Sequence, residues 1–416
     1  MHPPPPPADS LRRSGRPRRP ASFLAALTLL AALAAVCRPA SAQQPAQPLI
    51  VEDVQCRGNL TTSCRFIRGY LYLHAGQVLD EEEIRDATLR LSWLQNFKSV
   101  DIHLEKGSER GRVVVVIEVV EARSITSAFS LGVATRLGSV TQTLSADIGD
   151  RNLFGRGKSL DLTVAEDTSV AGDPARERFA SLEYFDPQLF DFPWLFFRAG
   201  VYGIDSDYLF DNGDHVQSEA YAADASLGVR FGRFSYVAFG YRYFPHASIL
   251  NVGRLSDGSF QAQSFAPRTQ LLASYGFNTQ DDPFFPTRGG RLNVYVVRGG
   301  GEHETGGDYQ HVWRLREDSF LTLEVLLEPV TVQRATYDNR SNLSLSYSHR
   351  LATDAFGGIV RGRWYVGPGW TLSGYDMQGR TLHEAGVRAG VIFETRSLGY
   401  MSFYVFGSGT VASGGH

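Results

Sequence analysis

From Ser124 onward, short segments of alternating apolar and polar residues follow one another, separated by Gly, Asp and Pro. In NLSLSYSHR (342–350) and in SLDLTVAED (159–167) every second residue is apolar over most of the segment. Side chains on a β-strand point alternately to its two faces, so this period of two predicts strands with one apolar and one polar face. No helix of any length interrupts the series. The pattern therefore predicts one large β-structure, either a soluble sandwich or a membrane barrel.

Three features favour the membrane barrel. The segments have the length of barrel strands, aromatic clusters such as PWLFF, YRYFP and RWYVG lie near segment ends, and an export signal precedes them. Gly (42), Tyr (18) and Phe (26) are abundant, which suits turns and strands better than helix bundles. The net charge is only −3, so the composition gives no sign of a nucleic-acid partner.

Residues 1–42 are predicted to be a cleaved signal peptide. RRSGRPRR supplies a positive region, ASFLAALTLLAALAAVC an apolar run and ASA a cleavage site after Ala42. The apolar run is roughly 15 residues, short of the ~20 that a spanning helix needs, and a membrane anchor is the alternative. Cleavage leaves Cys56 and Cys64, which could form a disulfide in an oxidising compartment.

Residues 46–122 are predicted to form a separate α+β domain in the order β-α-α-β-β. PLIVEDVQCRGN is a strand that ends at a turn, and the next segment predicts a helix closed at Gly76. A second helix begins after Asp80, and Glu83 three residues later suggests a capping box. The strands SVDIHLEK and GRVVVVIEVVE complete the domain.

This domain resembles a POTRA (polypeptide-transport-associated) domain. The matching features are Gly58 and Asn59 after the first strand, Gly76 before the second helix, Phe97 and Val100 in L.NF.SV, and V.V.I.VVE at the end. The resemblance implies that exposed sheet edges hold extended client chains by strand addition, in which main-chain hydrogen bonds give affinity. A domain that serves only as a spacer is the alternative.

Residues 123–416 carry three motifs that resemble BamA/TamA-family barrels. GDRNLFGRGKSLDL resembles the hairpin near the start of these barrels, and EYFDPQLFDFPWLFFRAGVY resembles the next one. FNTQDDPFFPTRGGRLNVYV resembles D.RD.PFFPTRG..L, with Asn278 where Asp is common. The motif residues of the first hairpin are Asn152, Leu153, Phe154, Gly155 and Gly157. With the POTRA resemblance, the chain is identified as a member of the BamA/TamA family of outer-membrane assembly barrels.

The resemblance implies that QDDPFFPTRGG (280–290) is a periplasmic hairpin turn with a structural role. Pro283 and Pro286 fix φ and stop the strands from pairing further, and the two glycines let the next strand begin at a sharp bend. The Phe pair is expected at the membrane interface. The residues assigned to this motif are Asp282, Pro283, Phe284, Phe285, Pro286, Thr287, Arg288 and Gly289.

The chain departs from the family at the loop that folds into the barrel lumen. In the family this loop carries an Arg-Gly-aromatic motif, and its Arg meets an acidic residue on the inner wall. The equivalent register here is YVGPGWTLSGYD, in which Ser373 stands where Arg is expected, before Gly374 and Tyr375. Losing the Arg would remove a charge-assisted contact. The alternative is the literal Arg361-Gly362 upstream.

A second departure is the number of strands. The sequence pattern gives about 13 strands, where single-chain bacterial barrels have an even number and the family about 16. An unclosed barrel would leave backbone groups unpaired in lipid. We therefore expect an antiparallel transmembrane β-barrel that is C-terminally incomplete, with a smaller closed barrel as the alternative.

The resemblance implies a non-enzymatic insertase or translocase in the outer membrane of a Gram-negative-type bacterium, with the POTRA domain in the periplasm. The expected partners are the outer-membrane bilayer, unfolded client proteins and accessory assembly proteins, and no cofactor or metal is expected. The alternative is a passive pore or structural barrel, or a truncated non-functional fragment. An enzyme is disfavoured because the chain has no G-x-S-x-G and no H-E-x-x-H motif.

Overall fold

The computed structural model describes most of the chain after the predicted signal peptide. The described ranges are 48–136, 139–171, 175–209, 215–251, 261–299, 302–329, 337–352, 359–375, 380–395 and 399–415. The predicted signal peptide, residues 1–42, lies outside the described residues.

The N-terminal domain has the predicted order β-α-α-β-β. Its elements are β1 (Ile50–Arg57), α1 (Cys64–Arg68), α2 (Glu81–Ser92), β2 (Phe97–Lys106) and β3 (Arg112–Glu121). The sheet order is β1-β3-β2, with β1 parallel and β2 antiparallel to β3. In the described part of the chain, no helix combines the length and the apolar character needed to cross a membrane.

Both helices differ in detail from the sequence prediction. Helix α1 is only five residues long and is capped by Ser63, whose side chain accepts from the backbone N–H of Phe66. It does not extend to Gly76, because the following segment instead buries Tyr70 and Leu71 in the domain core. Helix α2 begins after Asp80 as predicted.

The predicted capping box in α2 is wrong. Glu83 is buried, its Oε1 accepts from the backbone N–H of Tyr72 at 2.8 Å, and it pairs with the guanidinium of Arg90. Its carboxylate therefore ties α2 to the segment after α1. Between β1 and α1, Cys56 and Cys64 form a disulfide with a Cα–Cα distance of 5.7 Å.

The remainder of the chain is a β-barrel. Its strands are β4 (Ile125–Arg136), β5 (Ser139–Leu153), β6 (Lys158–Ala171), β7 (Ala175–Asp186), β8 (Leu195–Leu209), β9 (His215–Phe231), β10 (Ser235–Asn251), β11 (Gln261–Phe265), β12 (Arg268–Asn278), β13 (Gly289–Gly299), β14 (Glu302–Arg316), β15 (Ser319–Pro329), β16 (Tyr337–Arg350), β17 (Ile359–Tyr375), β18 (Arg380–Thr395) and β19 (Gly399–Gly415). A 3-10 turn, Leu189–Asp191, lies between β7 and β8.

Within the described residues, the barrel is closed and has fifteen strands. Segments β11 and β12 pair with the same side of β10 in one register, so they count as one strand. Neighbouring strands are antiparallel, except that β19 and β4 close the ring in parallel. The sequence therefore undercounted the strands, and the described sheet has no open seam. Closure pairs the two edges whose backbone groups lipid could not satisfy.

The barrel is apolar outside and polar inside. On β6, Leu160, Leu162 and Val164 are each at least 40% exposed, while Asp161 and Thr163 alternate with them. This is the inverse of a soluble sandwich, in which the exposed face would be polar. An exposed apolar belt on a closed sheet is the pattern of a barrel that spans a lipid bilayer.

Candidate functional site

The closing strand pair, here called the seam, is unlike every other pair in the barrel. It runs from Tyr400 opposite Ala128 to Gly407 opposite Thr135. On its other side β19 pairs with β18 along its full length to Gly415. A parallel ladder is slightly less stable per residue than an antiparallel one, and this one has eight residue pairs where β19 makes sixteen with β18. The seam is therefore the weaker of the two ladders that hold β19.

The seam begins at the barrel rim that carries the N-terminal domain, here called the domain rim. Gly399 is the first residue of β19 and has a φ of 71°, a conformation that favours glycine. A Cβ at this position would lie 2.0 Å from the backbone oxygen of Ser127, so β19 approaches β4 more closely here than any other residue would allow. At the other end of the ladder, Ser408 Oγ donates to Thr135 O at 2.8 Å.

The PFFPTRG motif forms the turn between β12 and β13, here called the rim turn (residues 279–288). Asp281 Oδ1 accepts from the backbone N–H of Thr287 at 2.7 Å, and Asp282 Oδ1 accepts from those of Phe284 and Phe285, both at 2.8 Å. The two acids thus shape the turn from within, as short Asp side chains commonly do. The turn joins two antiparallel neighbours, so it is a hairpin turn, and it lies at the domain rim.

The Phe pair does not lie at the membrane interface, contrary to the sequence expectation. Phe285 is only 5% exposed, and Phe284 stacks on Tyr400 of β19 with a ring distance of 3.7 Å. Arg363 of β17 donates to the backbone oxygens of Pro286 at 2.7 Å and Phe285 at 2.8 Å. The turn folds inward because these donors and aromatic partners lie on the inner wall.

Arg361, the alternative motif arginine, is the one that meets acidic residues. Its guanidinium pairs with Asp282 of the rim turn and with Glu394 of β18, the latter at 2.6 Å, and its Nη2 donates to the Tyr400 hydroxyl at 3.0 Å. Gly362 follows it on β17. Arg361 therefore makes an arginine–carboxylate contact, but it does so from a barrel strand at the domain rim and not from a loop in the lumen.

The register preferred from sequence lies elsewhere. Ser373, Gly374 and Tyr375 end strand β17, where Ser373 pairs with Leu382 and Gly374 with Thr381 of β18. They belong to the barrel wall rather than to a loop in the lumen. The prediction that these residues lie in a lumen loop is therefore wrong, because a glycine-rich strand and a glycine-rich loop have similar composition.

The NLFG.G motif docks the N-terminal domain on the barrel. Asn152 Oδ1 accepts from the backbone N–H of Gly157 at 2.9 Å, which closes the turn between β5 and β6, and its Nδ2 donates to Thr62 Oγ1 at 2.9 Å. The backbone N–H of Ser63 donates to Gly155 O at 2.8 Å. The other motif residues are Leu153, the last residue of β5, and Phe154, which is exposed.

Two further turns at the domain rim hold the same domain. Gln188, in the turn between β7 and β8, donates from Nε2 to the backbone oxygen of Phe66 at 2.9 Å. Arg233, between β9 and β10, pairs with Glu82 and lies 3.2 Å from Asp86, both on α2. Three consecutive turns of the rim therefore contact both helices of the domain.

Within the N-terminal domain, the predicted site residues have structural positions. Phe97 is buried in the core, and Val100 packs against it. Asn59 Nδ2 donates to the backbone oxygen of Thr62 at 2.9 Å, which orders the loop that touches the barrel. Gly58 precedes this loop, and Gly76 lies in the turn before α2.

The edges of the three-stranded sheet differ in accessibility. The outer edge of β1 is partly covered, because Val51 N donates to Gln77 O at 2.8 Å and Leu79 N donates to Leu49 O at 2.8 Å. In the described part of the chain, no strand pairs with the outer edge of β2. Asp101, His103 and Glu118 lie together on this sheet and are exposed or half-buried. One side-chain N or O atom from each lies within 4.8 Å of the others, a spacing that could hold a metal ion. The sequence pattern did not single it out.

The fold and these contacts define a membrane-type barrel that carries a small α+β domain on one rim. Two solved structures share this fold: CdiB from Acinetobacter baumannii, with a TM-score of 0.53, 11% identity and coverage of 84% of this chain and 69% of that chain, and CdiB from Escherichia coli, with a TM-score of 0.52, 12% identity and coverage of 84% and 70%.

BamA from Haemophilus ducreyi lacking POTRA domains 1–3 also matches, at a TM-score of 0.46 and 13% identity over 87% of this chain and 81% of that chain. No family model matches the sequence, and no curated protein matches it. The similarity to the CdiB structures is one of fold. The β-barrel that the sequence motifs predicted is confirmed as a fold.

Proposed function

We propose that the protein is an outer-membrane insertion or translocation factor of the BamA/TamA family, and that residues 46–122 are its POTRA domain. The proposal places the barrel in the outer membrane of a Gram-negative-type bacterium, the domain rim on the periplasmic side, and residues 1–42 in a cleaved signal. The motif residues that dock the domain on the rim and the CdiB-like fold support it. The work is hydrogen-bond exchange, with no covalent step and no cofactor.

The outer edge of β2 is the proposed client-binding edge. It offers a row of backbone N–H and C=O groups, and strand addition to such an edge gives affinity without reading much sequence. The edge of β1 is a poorer candidate because residues 77–79 already use part of it.

The observation that carries the proposal is the seam. Because β19 and β4 run in the same direction, one client strand between them can be antiparallel to both, and the ring then has only antiparallel neighbours. Strands on either side would exchange a short parallel ladder for two antiparallel ones. We expect a client strand to enter the bilayer from this position.

Site-specific photo-crosslinking tests the proposal on the full chain in liposomes, with an unfolded outer-membrane barrel polypeptide as client. A photoreactive amino acid replaces Val405 on the seam strand or Leu104 on β2, which are 58% and 38% exposed. Val296 on β13, which is 46% exposed on the far wall, is the matched control. We expect client adducts at Val405 and Leu104 only. Equal adducts at Val296, or none at Val405, would contradict the proposal.

A further inference from the structure

The rim turn reaches across the lumen to the seam. It connects β12 to β13, yet its side chains contact β17 and β19, and β14, β15 and β16 lie between β13 and β17 in the sheet. Arg151 of β5, on the other side of the seam, lies with its guanidinium 5.4 Å from the Phe284 ring. The turn thus connects the wall opposite the seam to strands on both sides of it.

Tyr400 is the point at which the turn meets the seam. It is the first residue of the β19–β4 ladder, opposite Ala128. Its ring stacks on Phe284, and its hydroxyl accepts from Arg361 at 3.0 Å. Asp282 holds the same guanidinium, so the turn, the arginine and the start of the ladder form one connected group. If β19 moves away from β4 at this end, Tyr400 must leave both partners, and if β4 moves away together with β5, Arg151 must leave the Phe284 ring.

The turn has separate contacts for holding its position and for holding the seam. Arg363 is 7% exposed and binds the turn through two backbone oxygens, so it fixes the turn to β17 without touching β19. Asp282 has one oxygen inside the turn and the other on Arg361. Neutralising Asp282 therefore weakens the hold on the seam while leaving the turn in place.

The N-terminal domain contacts the same turn. Trp93, the residue that ends α2, donates from its indole N–H to the backbone oxygen of Gln280. Gln280 is 1% exposed, so this end of the turn is enclosed between domain and barrel. A displacement of the domain on its rim would therefore move the turn directly.

We infer that the rim turn is a latch on the seam: Asp282, Arg361 and Phe284 are positioning residues that keep Tyr400, and with it the domain-rim end of β19, against β4. Release of Asp282 and Phe284 from this group frees that end of the ladder first. That the latch controls the entry of client strands rests on the proposed function, whereas its effect on the stability of the β19–β4 ladder does not.

Hydrogen exchange of the full chain in detergent micelles, without client, tests the latch. Amides that point into the seam exchange at a rate proportional to the open population. Asp282→Asn keeps an oxygen for the turn and removes the charge that Arg361 needs, so we expect seam amides of β4 and β19 to exchange about ten-fold faster. Tyr400→Phe, which keeps the stack and removes the hydroxyl, should accelerate them about three-fold.

The control variant is Asp224→Asn. Asp224 on β9 lies 3.3 Å from Arg242 on β10, away from the seam. The substitution therefore also removes the negative charge of a carboxylate that is paired with an arginine. We expect no change at the seam in this variant. Unchanged seam exchange in both test variants, or equal acceleration over all strands, would overturn the latch. Because no client is present, failure of the crosslinking experiment would not produce either outcome.

Discussion

At the scale of single residues, Glu121 joins the N-terminal sheet to the loop that docks on the barrel. It lies at the end of β3, and its carboxylate accepts from Thr61 Oγ1 at 2.6 Å and from the backbone N–H groups of Thr61 at 3.1 Å and Thr62 at 2.7 Å. Partial burial acts to raise the pKa of Glu121, but these hydrogen bonds outweigh it and hold the pKa below its usual range.

The lowered pKa predicts a pH-dependent contribution to stability. Because the folded pKa of Glu121 lies below the unfolded value of about 4.3, its contribution is present above that pH and is lost as pH falls through the folded pKa. Glu121→Gln should therefore lower the melting temperature of the domain at pH 7 and have little effect in acid. Thermal unfolding over this pH series measures it. Glu118→Gln, an exposed change on the same strand, is the control.

The two contacts of Arg363 with the rim turn can be tested by a substitution that keeps the charge and changes the shape of the donor group. Its planar guanidinium donates to two backbone oxygens of the rim turn and lies 3.9 Å from the Phe320 ring. Lysine cannot make this forked contact. We expect Arg363→Lys to destabilise the folded barrel by roughly 1.5–3 kcal/mol, the range for hydrogen bonds to charged groups.

Urea unfolding followed by gel mobility without heating measures this loss. Arg388→Lys is the matched control, because Arg388 is 44% exposed and lies 3.4 Å from Glu324. An equal loss in both variants would show that the forked contact has no special part in holding the turn.

At the scale of elements, the close approach of β19 to β4 at Gly399 leaves no room for a methyl group. Gly399→Ala places a Cβ against the backbone oxygen of Ser127 in a left-handed conformation, so it should weaken the seam by at least the ~1–2 kcal/mol of that conformation. Gly409→Ala lies on the same strand with nothing within 4 Å of the added Cβ. Thermal unfolding should separate the two variants, and equal melting temperatures would contradict the close approach.

Local patterns predicted the elements whose signals are local. Asp80 marked the start of α2, and alternation marked strands such as β6, because capping and side-chain period depend on neighbours in sequence. Helix α1 was predicted too long because burial of Tyr70 and Leu71 depends on the folded core. The inward fold of Phe284 was likewise invisible, since its partner Tyr400 is remote in sequence.

At the scale of the whole molecule, ion pairs between Arg233 and helix α2 help to hold the N-terminal domain on the domain rim. Arg233 pairs with Glu82, both exposed to solvent, and lies near the buried Asp86. Arg233→Glu should shift the domain away from the barrel, because it replaces attraction with repulsion. The exchange of charges in Arg233→Glu with Glu82→Arg should restore part of the docking.

Distances between spin labels on β2 and β13 measure this docking. The effect should be larger at low ionic strength, because salt screens exposed charges beyond about 10 Å at 0.1 M. A distance distribution that is the same in wild type and Arg233→Glu would show that the hydrogen bonds of Asn152 and Gln188 suffice.

The sequence predicted the barrel but not how it closes. Motifs identified the hairpins on the domain rim because each is continuous in the chain. Closure joins β4 and β19, which lie at opposite ends of the barrel sequence, and no local pattern records a parallel pair between them.

The parallel direction of the two seam strands decides on which rim the last described strand ends. Strand β4 leaves the domain rim and β19 runs in the same direction, so Gly415 lies on the opposite rim from the N-terminal domain. An epitope placed after Gly415 should thus be accessible to antibody from the opposite side of the membrane to an epitope inserted in the N-terminal domain, and labelling of intact cells would distinguish the two faces.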